Sequence, residues 1–254
     1  MNRRIIMDNC PNFRQLGGYQ SRTGGKLKHN LLYRSGTLEL LSEADVRRLE
    51  ALKISTIIDF RQENEKNKAS SLIPTHLKMR KLNLSISAGN LIEVFEKQDA
   101  NYANIHMVNI YRELALEHKE PYAAFLNELL KPSVGGMLFH CRAGKDRTGF
   151  AAALLMMALE VPRDIIIKDY LLTEKYFIAD IQTPIFLDMI PDSSGSNNIS
   201  KEILMSLLSS REEYIQASFD TIDANFESEK DYLATFFGLD KKKQKALQAR
   251  YLDF

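Results

Sequence analysis

The chain is short of several features that mark particular classes of protein. It holds only two cysteines, and its 34 Lys+Arg against 33 Asp+Glu leave a formal net charge of +1. No apolar run approaches the length needed to span a bilayer, so we expect no membrane anchor. A balanced charge gives no reason to expect general nucleic-acid binding through the phosphate backbone. With 44% hydrophobic and 26% charged residues, the composition is that of a soluble globular protein.

Export and metal binding also lack their usual signals. Residues 1–7 contain too short an apolar run for a signal peptide, so a reducing cytoplasm is the simpler expectation unless an export signal has been trimmed away. Cys10 and Cys141 are then expected to be free thiols. Four histidines are too scattered to suggest a metal site: His29, His76, His106 and His118. We therefore expect neither a metal nor another cofactor.

The length of the chain allows one large domain. At 254 residues it is long enough to bury a sizeable core. We expect a single domain over residues 1–254, with a helical lid or appendage at about 177–236. Residues 90–110 show no clean hydrophobic period and are interpreted as a mobile segment that covers a pocket.

Local patterns predict several helices and strands. Ser42 suits a helix N-cap, with Asp45 three residues on. The β-branched run Ile54–Ile58 predicts a buried strand, and alternating apolar residues over 82–86 predict another. Pro121 suits the first turn of a further helix. Together with the loop described next, these are the parts of an α/β layered domain.

The most informative stretch is residues 140–149, His-Cys-Arg-Ala-Gly-Lys-Asp-Arg-Thr-Gly. The apolar run Met137–Phe139 precedes it, and Phe150–Leu159 is rich in strong helix formers. The local order is therefore strand, tight loop and helix, with the loop at a helix N-terminus. Unpaired N–H groups and a partial positive charge bind an oxyanion there. Gly144 permits a backbone conformation that a residue with a Cβ resists, and the pattern predicts a phosphate cradle.

Two side chains of this cradle have the chemistry of phosphoryl transfer. A helix N-terminus and a neighbouring guanidinium stabilise a thiolate, which makes Cys141 the candidate nucleophile. Arg147 would hold two equatorial phosphate oxygens bidentately while loop N–H groups take the rest. Water would then release a cysteinyl-phosphate in a second step. His140 is interpreted as a structural hydrogen-bonding residue, because a thiolate formed by the loop needs no base.

Residues 140–149 resemble the Cys-x5-Arg signature of the protein tyrosine phosphatase superfamily. With further motifs, nearly the whole chain is similar to the bacterial atypical tyrosine and phosphoinositide phosphatases, which include the mycobacterial and Listeria secreted enzymes. These motifs are Asn12-Phe13-Arg14-x-Leu16-Gly17-Gly18, Tyr33-Arg34-Ser35, Ile58-Asp59-Phe60-Arg61, Asp169-Tyr170-Leu171-Leu172, and Tyr232-Leu233 followed by Gly238-Leu239. The resemblance implies an α/β tyrosine-phosphatase-like fold with the loop between a central strand and a helix. Gln15 departs from the pattern, since the family usually has Asp there.

The leaving group needs a proton, and the resemblance implies that Asp146 supplies it. An ion pair between Asp146 and a nearby cation is an equal alternative. Asp59, at a strand end, is the second candidate acid. Arg61 is either a cation of the pocket or the ion-pair partner of Glu63 or Glu65.

The remaining loop residues are candidates to bind the substrate phosphate: Arg142, Ala143, Gly144, Lys145 and Thr148. Arg142 and Lys145, beside Arg147, would suit a substrate with more than one phosphate, and a merely solvated position fits them equally well. Thr148 either only caps the helix or also assists hydrolysis of the intermediate with its hydroxyl group.

These observations predict a metal-independent phosphomonoesterase that acts on phosphotyrosine in proteins, with phosphoserine, phosphothreonine or phosphoinositides as further candidate substrates. Two alternatives remain, a catalytically silent module that binds phosphoproteins or phosphoinositides, and a rhodanese-like sulfurtransferase. A nucleotide-binding P-loop is excluded, because Phe139 stands where its first glycine belongs and Asp146 stands at its Ser/Thr position.

Overall fold

A computed structural model of the protein describes residues 3–87, 89–177 and 199–254. Its strands are β1 (Arg14–Gln15), β2 (Lys26–Leu27), β3 (Leu32–Ser35), β4 (Ile54–Asp59), β5 (Arg80–Asn83), β6 (Gly136–His140) and β7 (Leu252–Asp253). Its longer helices are α1 (Glu43–Ala51), α2 (Glu63–Lys68), α3 (Ile92–Lys97), α4 (Ala100–Leu116), α5 (Lys119–Leu130), α6 (Asp146–Ala158), α7 (Arg163–Tyr176), α8 (Lys201–Leu208), α9 (Glu212–Asn225) and α10 (Lys241–Tyr251). Shorter helical turns span Thr75–Leu77, Glu229–Asp231 and Tyr232–Phe236.

The central sheet has five strands in the order β1-β3-β6-β4-β5. Strands β3, β6, β4 and β5 run parallel, and β1 joins the edge antiparallel to β3. The middle strand, β6, is buried along its whole length. The predicted α/β class is confirmed, as is the strand predicted over Ile54–Ile58. The loop of interest leaves β6 at the carboxyl edge of the sheet, where open α/β sheets bind ligands.

Helices cover both faces of this sheet. Neighbouring residues of β6 point to opposite faces, so Phe139 belongs to the main core, with Phe60 and Phe125, while Leu138 packs in a smaller cluster with Leu49. Helix α6 lies within the main core and is buried on every side from Arg147 to Ala158. The helix that begins in the loop is therefore fixed by packing around its whole circumference.

Two predicted helices are confirmed. The Ser42 hydroxyl accepts a hydrogen bond from the backbone N–H of Asp45, whose carboxylate accepts in turn from the backbone N–H of Ser42. This reciprocal capping box satisfies two of the unpaired N–H groups at the start of α1. Helix α5, which begins at Lys119, places Pro121 in its first turn as expected.

One helical region escaped the sequence analysis, and one predicted strand needs correction. Residues 92–97 and 100–110 are helical, in α3 and the first part of α4, although the sequence shows no clean hydrophobic period there. Helix α4 contacts α6, α8 and α9, so its buried positions extend around the helix and blur the expected period. The strand predicted over 82–86 ends at Asn83, although the N–H groups of Leu84 and Ile86 still donate to the carbonyls of Asp59 and Phe60.

The C-terminal helices pack into the same core. Residues 178–198, within the segment of about 177–236 that we expected to form a lid or appendage, lie outside the described residues. In the rest of that segment, Ile203 of α8 and Tyr214 and Phe219 of α9 belong to the main core. Within the described ranges, no helix is both long and apolar enough to cross a bilayer.

Candidate active site

The loop of residues 141–145 joins the end of β6 to the start of α6. Gly144 has a φ of +68°, and a Cβ at this position would come within 2.4 Å of the carbonyl oxygen of Ser35. Both the left-handed backbone and the contact with β3 therefore require glycine. The predicted order of strand, tight loop and helix is confirmed.

Two buried side chains, those of Asn12 and Arg34, donate hydrogen bonds to carbonyl groups of the loop and so hold these groups away from the centre of the cradle. The Asn12 amide donates to the carbonyl oxygens of Ala143, at 3.1 Å, and Gly144, at 3.0 Å. The Arg34 guanidinium donates to the same Gly144 oxygen at 2.7 Å. In a trans peptide the N–H points opposite to the C=O, so the N–H groups of Gly144 and Lys145 face away from these partners. This orientation is the one that an oxyanion cradle requires.

A carboxylate anchors this support. The Asp169 carboxylate lies 2.7 Å from Nη1 of Arg34 and 3.3 Å from Nε of Arg14, and all three side chains are fully buried. It also accepts from the Tyr19 hydroxyl at 2.9 Å. Burial opposes its charge, but the two arginines keep the pKa of Asp169 below its usual value. Burial and the charge of Arg14 lower the pKa of Arg34 to about 10, so Arg34 remains a cation at neutral pH.

Cys141 is 2% exposed and follows β6 directly, and neither it nor Cys10 is in a disulfide. The neighbouring His140 ring lies with Nδ1 3.2 Å from the Cys141 carbonyl oxygen. Burial lowers the pKa of His140 against the opposing influence of Asp59, so the ring is neutral at pH 7 and fits the structural role expected. The buried Thr148 hydroxyl has no hydrogen-bond partner among the residues described.

Arg147 is bound by Glu65, a residue that the sequence had suggested only as an alternative partner of Arg61. Its Nη1 and Nη2 donate to the two oxygens of Glu65 at 2.6 and 2.8 Å, and Nη1 also donates to the Ile86 carbonyl at 3.2 Å. Burial would lower the pKa of Arg147, but its hydrogen bonds and charge interaction with Glu65 raise it. Burial likewise opposes ionisation of Glu65, yet Arg147 keeps the pKa of Glu65 below its usual value. The forked cation is thus charged and oriented before any substrate binds.

Arg61 forms an ion pair with Asp59, and not with Glu63 or Glu65 as one of the two alternatives had it. Its backbone N–H, Nε and Nη2 donate to the Asp59 carboxylate at 2.9, 3.0 and 2.8 Å, so Asp59 is its bidentate partner in place of Glu63 or Glu65. Burial opposes ionisation of Asp59, but His140 and Arg61 keep the pKa of Asp59 below its usual value. Because both carboxylate oxygens of Asp59 accept hydrogen bonds from Arg61, neither oxygen is left to carry a proton to a leaving group. Asp59, Arg61 and His140 line a cavity of about 350 Å³.

Asp146, the other candidate acid, lies at the first position of α6. Its Oδ1 accepts from the Tyr111 hydroxyl at 2.8 Å and lies 3.4 Å from Nζ of Lys145. The Asp146 side chain is 26% exposed, which leaves it accessible to a substrate. The structure therefore shows the ion pair that was expected as one alternative, and the acid role stays a prediction.

The two further cations of the loop are engaged with protein groups. The Lys145 ammonium is 1% exposed and donates to the carbonyl oxygens of Leu207 and, at 3.1 Å, Ser209, at the C-terminal end of α8. Arg142 is ion-paired with the carboxylate of Glu39, which is itself 8% exposed. Among the described residues, no group of three His, Cys, Asp or Glu side chains could hold a metal ion.

Sequence reasoning attached no role to Asn12, Arg14, Arg34 or Asp169, although three of the family motifs contain them. Glu65 was considered only as a partner of Arg61. The available signal was the pattern of polar residues inside buried segments, since Arg14, Arg34 and Asp169 have 0% exposure. Charged residues in such positions need partners, but the pattern does not say which ones.

Comparison with known proteins agrees with this geometry. A model of the tyrosine phosphatase family matches residues 5–253, and the chain belongs to that family. A presumed tyrosine-protein phosphatase of Cupriavidus necator is 30% identical over 234 residues, covering 90% of this chain and 82% of that protein. The triple specificity protein phosphatase PtpB of Mycobacterium tuberculosis is 26% identical over 242 residues, covering 83% and 87%. The resemblance seen in the sequence motifs is thereby confirmed.

Solved structures give a weaker likeness. The catalytic core of Siw14 aligns with a TM-score of 0.39 and 16% identity, over 77% of this chain and 93% of that one. A likeness of this size adds no support to the assignment, which depends on the family match and on the geometry of the loop.

Proposed function

We propose that the protein hydrolyses phosphotyrosine in proteins through a cysteinyl-phosphate on Cys141. The Cys141 thiolate attacks phosphorus in line, the P–S bond forms and the bond to the tyrosine oxygen breaks. Arg147 and the loop N–H groups hold the equatorial oxygens as charge moves onto them. Water then attacks phosphorus and gives a proton to the Asp146 carboxylate, the P–S bond breaks, and phosphate and the Cys141 thiolate are released. The observation that carries the proposal is the geometry of the loop. Its carbonyl groups are held away from the cradle by Asn12 and Arg34, and Arg147 is oriented by Glu65.

Asp146 is proposed as the acid that gives its proton to the leaving tyrosine oxygen. It lies in the loop region, is 26% exposed, and is more accessible than Asp59, whose side chain is 14% exposed and bound by Arg61. A phenol leaving group gains from such a proton, and p-nitrophenolate gains much less. Asp146→Asn should therefore slow phosphotyrosine hydrolysis more than p-nitrophenyl phosphate hydrolysis. Equal losses for the two substrates would assign Asp146 a structural role.

A substrate with one phosphate fits the charges around the loop better than one with several. The candidate selectors for additional phosphates, Lys145 and Arg142, are bound to α8 carbonyl groups and to Glu39. Recruiting Lys145 would mean leaving the carbonyl groups of Leu207 and Ser209 without their donor. Phosphotyrosine is therefore the proposed main substrate over polyphosphorylated inositides. The mycobacterial relative is named a triple specificity phosphatase, so phosphoserine, phosphothreonine and phosphoinositides belong in the same rate panel.

Two structural expectations remain proposals. The segment of about 177–236 is proposed to be a helical lid or appendage beside the loop, supported in its described part by the contacts that join Lys145 to the end of α8. A reducing, cytoplasmic setting is proposed on the basis of two unpaired cysteines, since the mechanism needs Cys141 as a thiolate.

The test is a rate comparison of the unmodified protein and Cys141→Ser on phosphotyrosine, phosphoserine and phosphoinositide substrates, with and without a chelator. We expect turnover of phosphotyrosine that the substitution abolishes and the chelator leaves unchanged. Tight binding of phosphotyrosine peptide with no turnover by the unmodified protein would select the silent binding module. Sulfur transfer from thiosulfate to cyanide that exceeds phosphatase activity would select the rhodanese-like alternative.

A further inference from the structure

Two buried tyrosine hydroxyl groups lie behind the proposed acid. Tyr111, on the buried face of α4, places its hydroxyl 2.8 Å from Oδ1 of Asp146 and 2.7 Å from the hydroxyl of Tyr170 on α7. Both tyrosines are at most 1% exposed. Their rings meet edge to face, with centroids 5.8 Å apart, so the hydroxyl groups are fixed by packing as well as by hydrogen bonds.

The number of protons available fixes which hydroxyl group donates in each of these hydrogen bonds. A tyrosine hydroxyl has one proton to donate. Tyr111 uses that proton on Asp146, so its oxygen must accept from Tyr170. The hydrogen bonds therefore run from Tyr170 to Tyr111 to Oδ1 of Asp146. Of the two Asp146 oxygens, Oδ1 is the one that takes the Tyr111 hydrogen bond.

Both hydroxyl groups keep their protons under working conditions. Burial, followed by the charge of Asp146, raises the pKa of Tyr111 well above its ordinary value. The same two causes raise the pKa of Tyr170. A phenol in this setting is a donor and not a base. Lys145, 3.4 Å from the same Oδ1, adds a positive charge on that side of the carboxyl group.

We propose that Tyr111, supported by Tyr170, is a positioning residue that fixes the rotamer of Asp146 so that Oδ2 presents its proton to the leaving group. This inference rests on the proposed function, in which Asp146 is the acid. Helix α4 thereby contributes to the reaction although none of its residues belongs to the loop. Without the hydrogen bond to Oδ1, the carboxyl group can rotate about its side-chain bonds, and a small misplacement of an acid is costly.

The experiment is a double-substitution cycle with Tyr111→Phe and Asp146→Asn, assayed on phosphotyrosine peptide and on p-nitrophenyl phosphate. Tyr111→Phe should lower kcat for phosphotyrosine about tenfold, as expected when an acid loses the hydrogen bond that orients it, with a much smaller effect on p-nitrophenyl phosphate and little change in KM. In the Asp146→Asn background, Tyr111→Phe should have no further effect on kcat. Tyr170→Phe should give a smaller loss in the same direction.

Tyr232→Phe is the matched control, because it also removes a buried hydroxyl that donates at 2.6 Å, here to the carbonyl of Ala115, four residues after Tyr111 in α4. It should leave both rates unchanged. Equal losses on both substrates, additive with Asp146→Asn, would show that Tyr111 serves stability only and would overturn the inference. If Asp146→Asn alone slows both substrates equally, the acid assignment fails separately. A Tyr111 effect that vanishes in the Asp146→Asn background would then still show the coupling.

Discussion

Asp169 and Glu65 each neutralise arginine beside the same loop, but they do so in different surroundings. Asp169 lies between Arg14 and Arg34 with no exposure on any partner. Glu65 binds Arg147 with side-chain exposures of 13% and 5%. The Asp169 cluster lies on the side of the loop toward which its carbonyl groups point, and it has no access to solvent. The pair of Glu65 and Arg147 borders the place where phosphate would bind, so a substrate anion can compete for its cation there.

We infer from this difference that the Asp169 cluster stabilises the fold, whereas Glu65 orients Arg147 for the reaction. A buried charge network with complete pairing is costly to break, because the remaining charges have no solvent to turn to. An ion pair at the edge of a site keeps its arginine oriented, and the arriving oxyanion can take over part of the neutralisation. We therefore expect substitutions in the Asp169 cluster to reduce stability and substitutions at Glu65 to reduce turnover.

The largest effect is expected for Asp169→Asn. Removing this charge leaves two arginines buried without a counter-ion, and the free energy of unfolding should fall by about 3–5 kcal/mol. Urea unfolding followed by circular dichroism measures it. Glu43→Gln, which removes an exposed i,i+4 partner of Arg47, is the control and should change stability by less than about 0.5 kcal/mol. A loss for Asp169→Asn as small as the control's would show that the two clusters do not differ in this way.

Glu65→Gln should instead lower kcat by about 100-fold, because Arg147 loses the carboxylate that orients it. The same substitution leaves the Arg147 charge without its partner, and a bound oxyanion can supply the missing charge. Inorganic phosphate should therefore raise the thermal midpoint of Glu65→Gln more than that of the unmodified protein, as measured by calorimetry over a phosphate titration.

Phosphate should give no such extra stabilisation to Asp169→Asn, since that cluster is closed to solvent. An equal response of the two variants to phosphate would remove the distinction between the clusters.

A smaller effect is expected for Lys145→Met. The variant leaves the carbonyl groups of Leu207 and Ser209 without their donor, which should cost about 1–3 kcal/mol of stability. Because Lys145 binds α8 in place of substrate, rates on phosphotyrosine and on phosphoinositides should fall by the same factor. A loss confined to the phosphoinositides, measured in parallel assays, would instead make Lys145 a selector for additional phosphates.

The smallest effect is in the pH dependence of stability. Asp169 and Glu65 have pKa values below their ordinary ones, so each stabilises the fold above its unfolded pKa, about 4. That stability is lost as the pH falls through the lower folded values. Unfolding free energies measured from pH 7 down to 3 should decline for the unmodified protein, and the decline should be shallower in Asp169→Asn and in Glu65→Gln. Identical slopes for all three proteins would contradict these shifts.

The sequence was informative wherever the chemistry is local. The loop, the need for Gly144 and the capping box of Ser42 each depend on residues within a few positions of one another, and the structure confirms their geometry. The α/β class followed from the β-branched run of β4 and the apolar strand before the loop. Helix α4 was missed because its neighbours cover it on several sides, and a wide buried face has no clear period.

The residues that bind the charged groups at the loop could not be predicted from the sequence, because tertiary contacts determine them. Glu65 lies 82 positions from Arg147, and Asp169 lies 135 positions from Arg34. The contact of Lys145 with Leu207 spans 62 positions. Each of these charges has several potential partners in the sequence, and only the folded chain selects one. The choice also bears on the proposed function, in which Lys145 binds α8 and does not serve as a cation for a second phosphate.

The most direct measurement is the capture of the covalent intermediate. The unmodified protein is mixed rapidly with a phosphotyrosine peptide, quenched in acid within a single turnover, digested and analysed by mass spectrometry. The account predicts one added phosphoryl group on the peptide that contains Cys141 and none on the peptide that contains Cys10, with the adduct lost in Cys141→Ser. Release of phosphate without any modification of Cys141 during turnover would contradict it.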